Sequence, residues 1–308
     1  MSEPTSTDPI STAPTGTAPI STAPISTGRI GVRKTYKLFI GGAFPRSESG
    51  RSYVVNDAKG RFVANASQAS RKDVRDAVGA ARKAFGAWSE RTPYNRGQIL
   101  YRVAEMLEGR RAQFVDELRA AGQAKSAAST EVDQAVDRWV WYAGWADKLG
   151  AVVGSANPVA GPFFNFSTPE PTGVVGVIAP DSPLLGLVSV VAPAIVSGNT
   201  CVVVAAEPAP LPAITLAEVL ATSDLPGGVV NLLTGRRAEL APWLASHMDV
   251  DALDLAGIVS GGAELEEAAA GNLKRVIRPG SGDWSEEPGT ARMTAFLETK
   301  TVWHPVGV

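Results

Sequence analysis

The chain is poor in the residues that most often carry chemistry. Its 308 residues include one cysteine and two histidines, His247 and His304. A lone cysteine forbids an intrachain disulfide and gives no sign of an oxidising compartment. One cysteine and two histidines also exclude a Cys- or His-rich metal cluster. The carboxylates show no metal-ligand spacing, so no metal is expected. Neither histidine lies in a nucleophile-like context, which argues against a Ser-His-Asp triad. An excess of positive charge is missing too. The net charge is -2 and the pI about 5.8, which argues against a nucleic-acid or anionic-membrane partner. No apolar run reaches the ~18 residues that a membrane span needs. Residues 1–30 lack a basic region followed by an apolar run, so they carry no recognisable targeting signal. A cytoplasmic location is the expectation.

What is present supports a large core, since 44% of residues are hydrophobic and 19% charged. The exception is the N-terminus. Pro9-Ile10-Ser11-Thr12-Ala13-Pro14 recurs from Pro19 to Pro24, and Ile25-Ser26-Thr27 opens a third copy. Residues 1–35 are therefore expected to be a disordered Ser/Thr/Pro/Ala-rich tail, because they hold too little apolar surface to offset their ordering entropy. From Tyr36 the pattern changes. Lys37 to Phe44 reads as a strand, a Gly41-Gly42 turn and a second strand, and Arg61 to Ala64 as another strand. Ser70 and Asp73 have capping-box spacing. They open a helix whose Val74, Ala77, Val78, Ala81, Phe85 and Trp88 share one face. Pro93 after Thr92 opens a second helix. A third runs through Phe114 and Leu118 to Gly122, and a fourth starts near Thr130. Residues 36–150 thus form a strand-and-helix region. Residues 151–171, with four prolines, read as an extended hairpin.

From Thr172 continuous apolar strands alternate with helices. The strands are Gly173–Ile178, Cys201–Val204, Val229–Leu233, Ala252–Leu255 and Lys274–Ile277. The helices are Leu184–Val196, Leu211–Leu220, Ala238–Ser246 and Gly262–Ala270. The first of these strands has no polar side chain, and continuous apolar strands alternating with helices are covered on both faces, so residues 172–282 imply a doubly wound, Rossmann-like parallel sheet in an α/β fold. Residues 283–308 read as a linker and a closing strand.

Several of these segments resemble aldehyde dehydrogenases. Lys37-Leu38-Phe39-Ile40-Gly41-Gly42-Ala43-Phe44 is similar to that family's opening strand pair. Gly173 to Pro180 is similar to its first cofactor-domain strand. Ala192-Pro193-Ala194, Gly198-Asn199-Thr200, Leu225 to Asn231 and Asn272 to Val276 continue the resemblance in order. Leu297-Glu298-Thr299-Lys300-Thr301-Val302-Trp303 resembles its closing strand. The resemblance covers Tyr36 to Val276 and Phe296 to His304. It implies that the cofactor side retains positions Ala179, Pro180, Glu207, Gly235 and Gly257. It also implies an oligomerisation element made of Phe163, Phe164, Phe166, Leu297, Thr299, Thr301, Val302 and Trp303.

The departures from the family point away from catalysis. The family's Trp-Asn-Phe-Pro, whose Asn donates to the oxyanion, is replaced by Asp181-Ser182-Pro183. Loss of such a donor costs on the order of 10²–10³ in rate. The strand that normally continues into Lys-Pro-x-Glu reads Val204-Ala205-Ala206-Glu207. Glu207 is then either a retained ribose ligand or a solvated carboxylate without its lysine partner. Phe-Thr-Gly-Ser appears as Leu255-Ala256-Gly257-Ile258, and the general-base segment aligns with Pro279-Gly280-Ser281-Gly282. Between Gly282 and the closing strand stand only Asp283 to Ala295, where the family has a catalytic domain of roughly 150–200 residues. Cys201, mid-strand, is expected to be a buried inert thiol. Asp181 is expected either to cap the following helix or to deter anion binding at its start. No catalytic residue is assigned and no cofactor is expected, with NAD(P) binding weakened. The resemblance implies a non-catalytic subunit that assembles with a full-length aldehyde dehydrogenase, or with itself. The alternatives are an NAD(P)-dependent aldehyde oxidoreductase component and a nicotinamide-nucleotide-binding regulatory module.

Overall fold

A computed structural model describes residues 34–280 and 282–307. The expected disordered tail lies outside these residues except at its end, where Thr35 is already paired in a strand. The chain opens with β1 (Thr35–Tyr36), β2 (Ser52–Asn56) and β3 (Phe62–Ser67), which form one sheet in the order β1-β3-β2. Lys37 to Phe44 is not the expected strand pair. It makes single bridges, Ile40 to Ala43 across the glycine turn and Phe39 to Leu232. The turn is pressed against the chain at Gly227, where a Cβ on Gly42 would stand 2.9 Å from the Gly227 Cα. That contact holds the segment against a neighbouring strand rather than in a ladder of its own.

Four helices follow: α1 (Arg71–Ser89), α2 (Pro93–Glu108), α3 (Arg111–Ala120) and α4 (Lys125–Trp145). α1 starts for the reason its sequence suggests. The Ser70 side chain accepts from the Lys72 and Asp73 amides, and the Asp73 carboxylate accepts from the Ser70 amide. α2 is capped by Thr92 with Pro93 in its first turn. α4 begins at Lys125, five residues before Thr130, with no side-chain cap to mark it. The 151–171 region is entered by a short helix, α5 (Leu149–Val153). It continues as β4 (Ser155–Asn157) and β5 (Phe163–Pro171), which pair antiparallel.

The alternating region comprises β6 (Val174–Ile178), α6 (Leu185–Val196), β7 (Thr200–Val204), α7 (Leu211–Ala221), β8 (Val230–Leu233), α8 (Arg237–Ser246), β9 (Ala252–Asp254), α9 (Gly262–Ala270) and β10 (Arg275–Ile277). Its five strands form one parallel sheet in the order β10-β9-β6-β7-β8. Both faces are covered. On one side α6, buried along its whole length, lies under α2 and α4 in a core with Trp88, Phe114 and Trp139. On the other, α1, α8 and α9 pack with Leu38, Leu244 and Leu253. The chain ends with α10 (Ala291–Ala295) and β11 (Leu297–Pro305). β11 runs antiparallel to β5 over nine residue pairs, giving a third sheet, β11-β5-β4. Among the described residues no helix is long and apolar enough to cross a membrane.

Two buried asparagines join these parts. Asn199 accepts from the Gly173 amide and donates to the Phe296 carbonyl, tying β6 to the start of β11. Asn231 accepts from the Gly41 amide and donates to the Cys201 and Gly228 carbonyls. Both satisfy backbone groups that the core would otherwise strand.

Candidate functional site

In a doubly wound sheet, ligands bind beyond the carboxyl ends of the strands where the strand order reverses. Here the chain passes from β6 outward to β7 and β8, then returns to β9 and β10 on the other side. The crevice therefore lies between the ends of β6 and β9. Ala179, Pro180 and Asp181 follow β6, Glu207 follows β7, Gly235 follows β8 and Gly257 follows β9. The five sequence-assigned cofactor positions thus come to one end of the sheet.

A residue that sequence reasoning missed sits among them. Arg237, the first residue of α8, reaches from the end of β8 across to the β6–β9 junction. Its guanidinium donates to the Ala179 carbonyl at 2.8 Å and the Gly257 carbonyl at 3.1 Å. It also pairs with Asp181 at 2.5 Å, and its side chain is only 14% exposed. The two loops are themselves in close contact. The Gly257 amide donates to the Ile178 carbonyl at 2.8 Å. A Cβ on Gly257 would lie 2.0 Å from the Ala179 oxygen. The glycine here serves a close backbone approach. As these side chains stand, the Arg237 guanidinium occupies the space between the two loops.

Glu207 is neither free nor merely solvated. It accepts from the Arg236 guanidinium at 2.6 Å and from the Arg237 amide at 3.0 Å. Partial burial works to raise its pKa, but these bonds and the two positive charges hold it below the usual carboxylate value. Asp181 does not cap α6, because its carboxylate is engaged by Arg237. The cap comes instead from Glu131 on α4 and from the Ser182 hydroxyl, which accepts from the Gly186 amide at 2.9 Å. One Glu131 oxygen accepts from the Leu184 and Leu185 amides at 3.1 and 3.0 Å. A carboxylate is a favourable partner for the positive end of a helix.

Asp283 to Ala295 is not a free linker. Arg138 on α4 donates to the Trp284 and Glu286 carbonyls at 2.9 and 2.8 Å, and to the Ser189 hydroxyl at 2.7 Å. Arg292 pairs with Asp254, the last residue of β9, which is fully buried. Burial raises the Asp254 pKa against the pull of Arg292. Met293 and Phe296 enter the core beside α6.

Cys201 lies in β7 with no exposure, and burial raises its thiol pKa. A thiol kept protonated inside a sheet is not a nucleophile. A groove of about 930 Å³ between α2 and α4, with Tyr94, Tyr101 and Val140 on its walls, shares no residue with the crevice.

The sequence-assigned oligomerisation residues gather on the third sheet. Val302 is opposite Phe166, and Trp303 meets Phe163 edge-on with ring centroids 5.7 Å apart. Phe163, Phe164 and Trp303 are 43%, 52% and 58% exposed. Thr301 hydrogen-bonds Ser167 at 2.9 Å, and Thr299 is exposed. Leu297 differs from the rest. It is buried in the chain's own core and offers no surface.

The fold and crevice define an α/β protein of the dinucleotide-domain type, and comparison with known proteins makes this specific. The family model described as "Aldehyde dehydrogenase family" matches residues 44–283. An aldehyde dehydrogenase from Davidiella tassiana is 37% identical over 280 residues, covering 88% of this chain and 54% of its own. The solved NAD-dependent aldehyde dehydrogenase of Sinorhizobium meliloti aligns with a TM-score of 0.76 at 30% identity, over 80% of this chain and 50% of its own. The NAD+ complex of the Bacillus cereus enzyme aligns with a TM-score of 0.75 at 28% identity, over 79% and 50%. The chain belongs to the aldehyde dehydrogenase family, and it spans about half the length of the relatives it matches.

Proposed function

We propose that this chain is a non-catalytic aldehyde-dehydrogenase-family subunit that assembles with a full-length aldehyde dehydrogenase. The observation that carries the reading is the third sheet. β11 has β5 on one side and, among the described residues, no strand on the other. Nine residues of ladder edge beside exposed Phe163, Phe164 and Trp303 suit the addition of a partner strand. Left open, the same edge is an aggregation hazard. The buried Cys201 supports a role without covalent chemistry of its own. A cytoplasmic setting accords with its free thiol. The test is native mass spectrometry on the assembly purified from source cells through a tag on this chain. The expected result is a mixed oligomer containing a second chain with an intact catalytic domain. An assembly made only of this chain would overturn the proposal.

A further inference from the structure

We infer that Arg237 closes the dinucleotide crevice from within, so that the folded chain takes no nicotinamide dinucleotide. Three features carry this. First, the guanidinium is placed at the one point where the strand order reverses, hydrogen-bonded to both loops that flank it through the Ala179 and Gly257 carbonyls. A pyrophosphate entering there would need that volume. Second, the anion-binding capacity of the region is already spent on the chain's own carboxylates. Asp181 neutralises Arg237, while Glu207 holds Arg236 and the Arg237 amide at the start of α8. A phosphate would have to displace these carboxylates, which cost no association entropy because they belong to the same chain. Third, the closure is anchored on backbone. The Gly257 amide on the Ile178 carbonyl brings the two loops together, and Arg237 bridges the same loops. The crevice is thus latched by four segments far apart in sequence. The inference stands whether or not the chain has a partner subunit.

The experiment is isothermal titration calorimetry of NAD+ and NADP+ into the full chain and into Arg237→Ala, with thermal melts to establish that both are folded. The unaltered chain is expected to give no binding tighter than about 1 mM. R237A, with the latch removed, is expected to bind at least about tenfold more tightly than the unaltered chain. A second variant, Asp181→Ala with Arg237→Ala, removes both members of the pair, so a folding failure caused by an unpaired Asp181 does not stop the test. Micromolar binding by the unaltered chain would overturn the inference. So would a folded variant of either kind that binds no better than the parent, because something other than Arg237 would then be closing the crevice.

Discussion

At the scale of single residues, the motif-bearing positions and the residues that decide their use are different sets. The gathering of Ala179, Glu207, Gly235 and Gly257 at one end of the sheet was legible because they follow its strands in segments shared with the family. Arg237 and Glu131 were not, since they act on partners 58 and 53 residues away. Local periodicity carries no signal for a side chain that crosses a sheet. Gly257 is the sharpest point at which to test the closed arrangement. Its Cβ would fall 2.0 Å from the Ala179 oxygen, so Gly257→Ala must push the loops apart. It should lower stability by about 1–3 kcal/mol, the usual cost of overpacking, and thermal melts would register it. An unchanged melting temperature would mean that the two loops are not in contact. His247 gives a second test. Burial, with Lys274 and Arg82 nearby, lowers its pKa against the pull of Asp249. The Asp249 amide donates to its Nδ1, which requires that nitrogen to be unprotonated. Below the usual value of 6.5 the unfolded chain therefore binds more protons than the folded one, and stability is lost as pH falls through the depressed value. His247→Gln should remove that acid-side slope, which denaturant melts between about pH 5 and 7 would detect.

At the scale of elements, the parallel sheet and its helices were legible because the central strands are short apolar runs between turn signals. β6 and β7 are buried at every position, as such runs require. What escaped were elements without that signature. β2 alternates weakly, and α5 and α10 are five residues each with no side-chain cap. The start of α4 was misplaced for the same reason. α10 is set by its surroundings, with Met293 and Phe296 entering the core and Arg292 meeting Asp254. α1 is the contrasting case, where a local signal determines the boundary. Ser70→Ala should remove the side-chain acceptor for two amides and cost about 0.5–2 kcal/mol. Ser70→Asp should retain most of the stability, and equal losses for both variants would show that the cap contributes through another contact.

At the scale of the whole molecule, ionisable groups buried between layers set a pH dependence that surface pairs do not cancel. Glu117 on α3 lies at the junction with β1 and α7. It accepts from the Tyr36 hydroxyl at 2.8 Å and the Thr215 hydroxyl at 2.7 Å. Its other oxygen is buried without a partner. Burial raises its pKa, and the bonds from Thr215, Tyr36 and Gln113 with the charge of Lys34 offset this only in part. The folded chain therefore holds this proton more tightly than the unfolded chain, whose group titrates near 4.5. Between that value and the raised one the folded state carries the extra proton, so stability falls as pH rises through the window. The exposed Asp133, held down by Arg111, shifts in the opposite sense but is screened by solvent. Glu117→Gln keeps the size and an acceptor and removes the titration. Its stability relative to the parent should therefore improve as pH rises from about 4.5 through the raised value and then level off. Denaturant melts of both proteins at matched ionic strength would measure this difference. A difference that stays flat with pH would mean that Glu117 holds its proton no more tightly folded than unfolded, and that the three-layer junction is wetter than its packing implies.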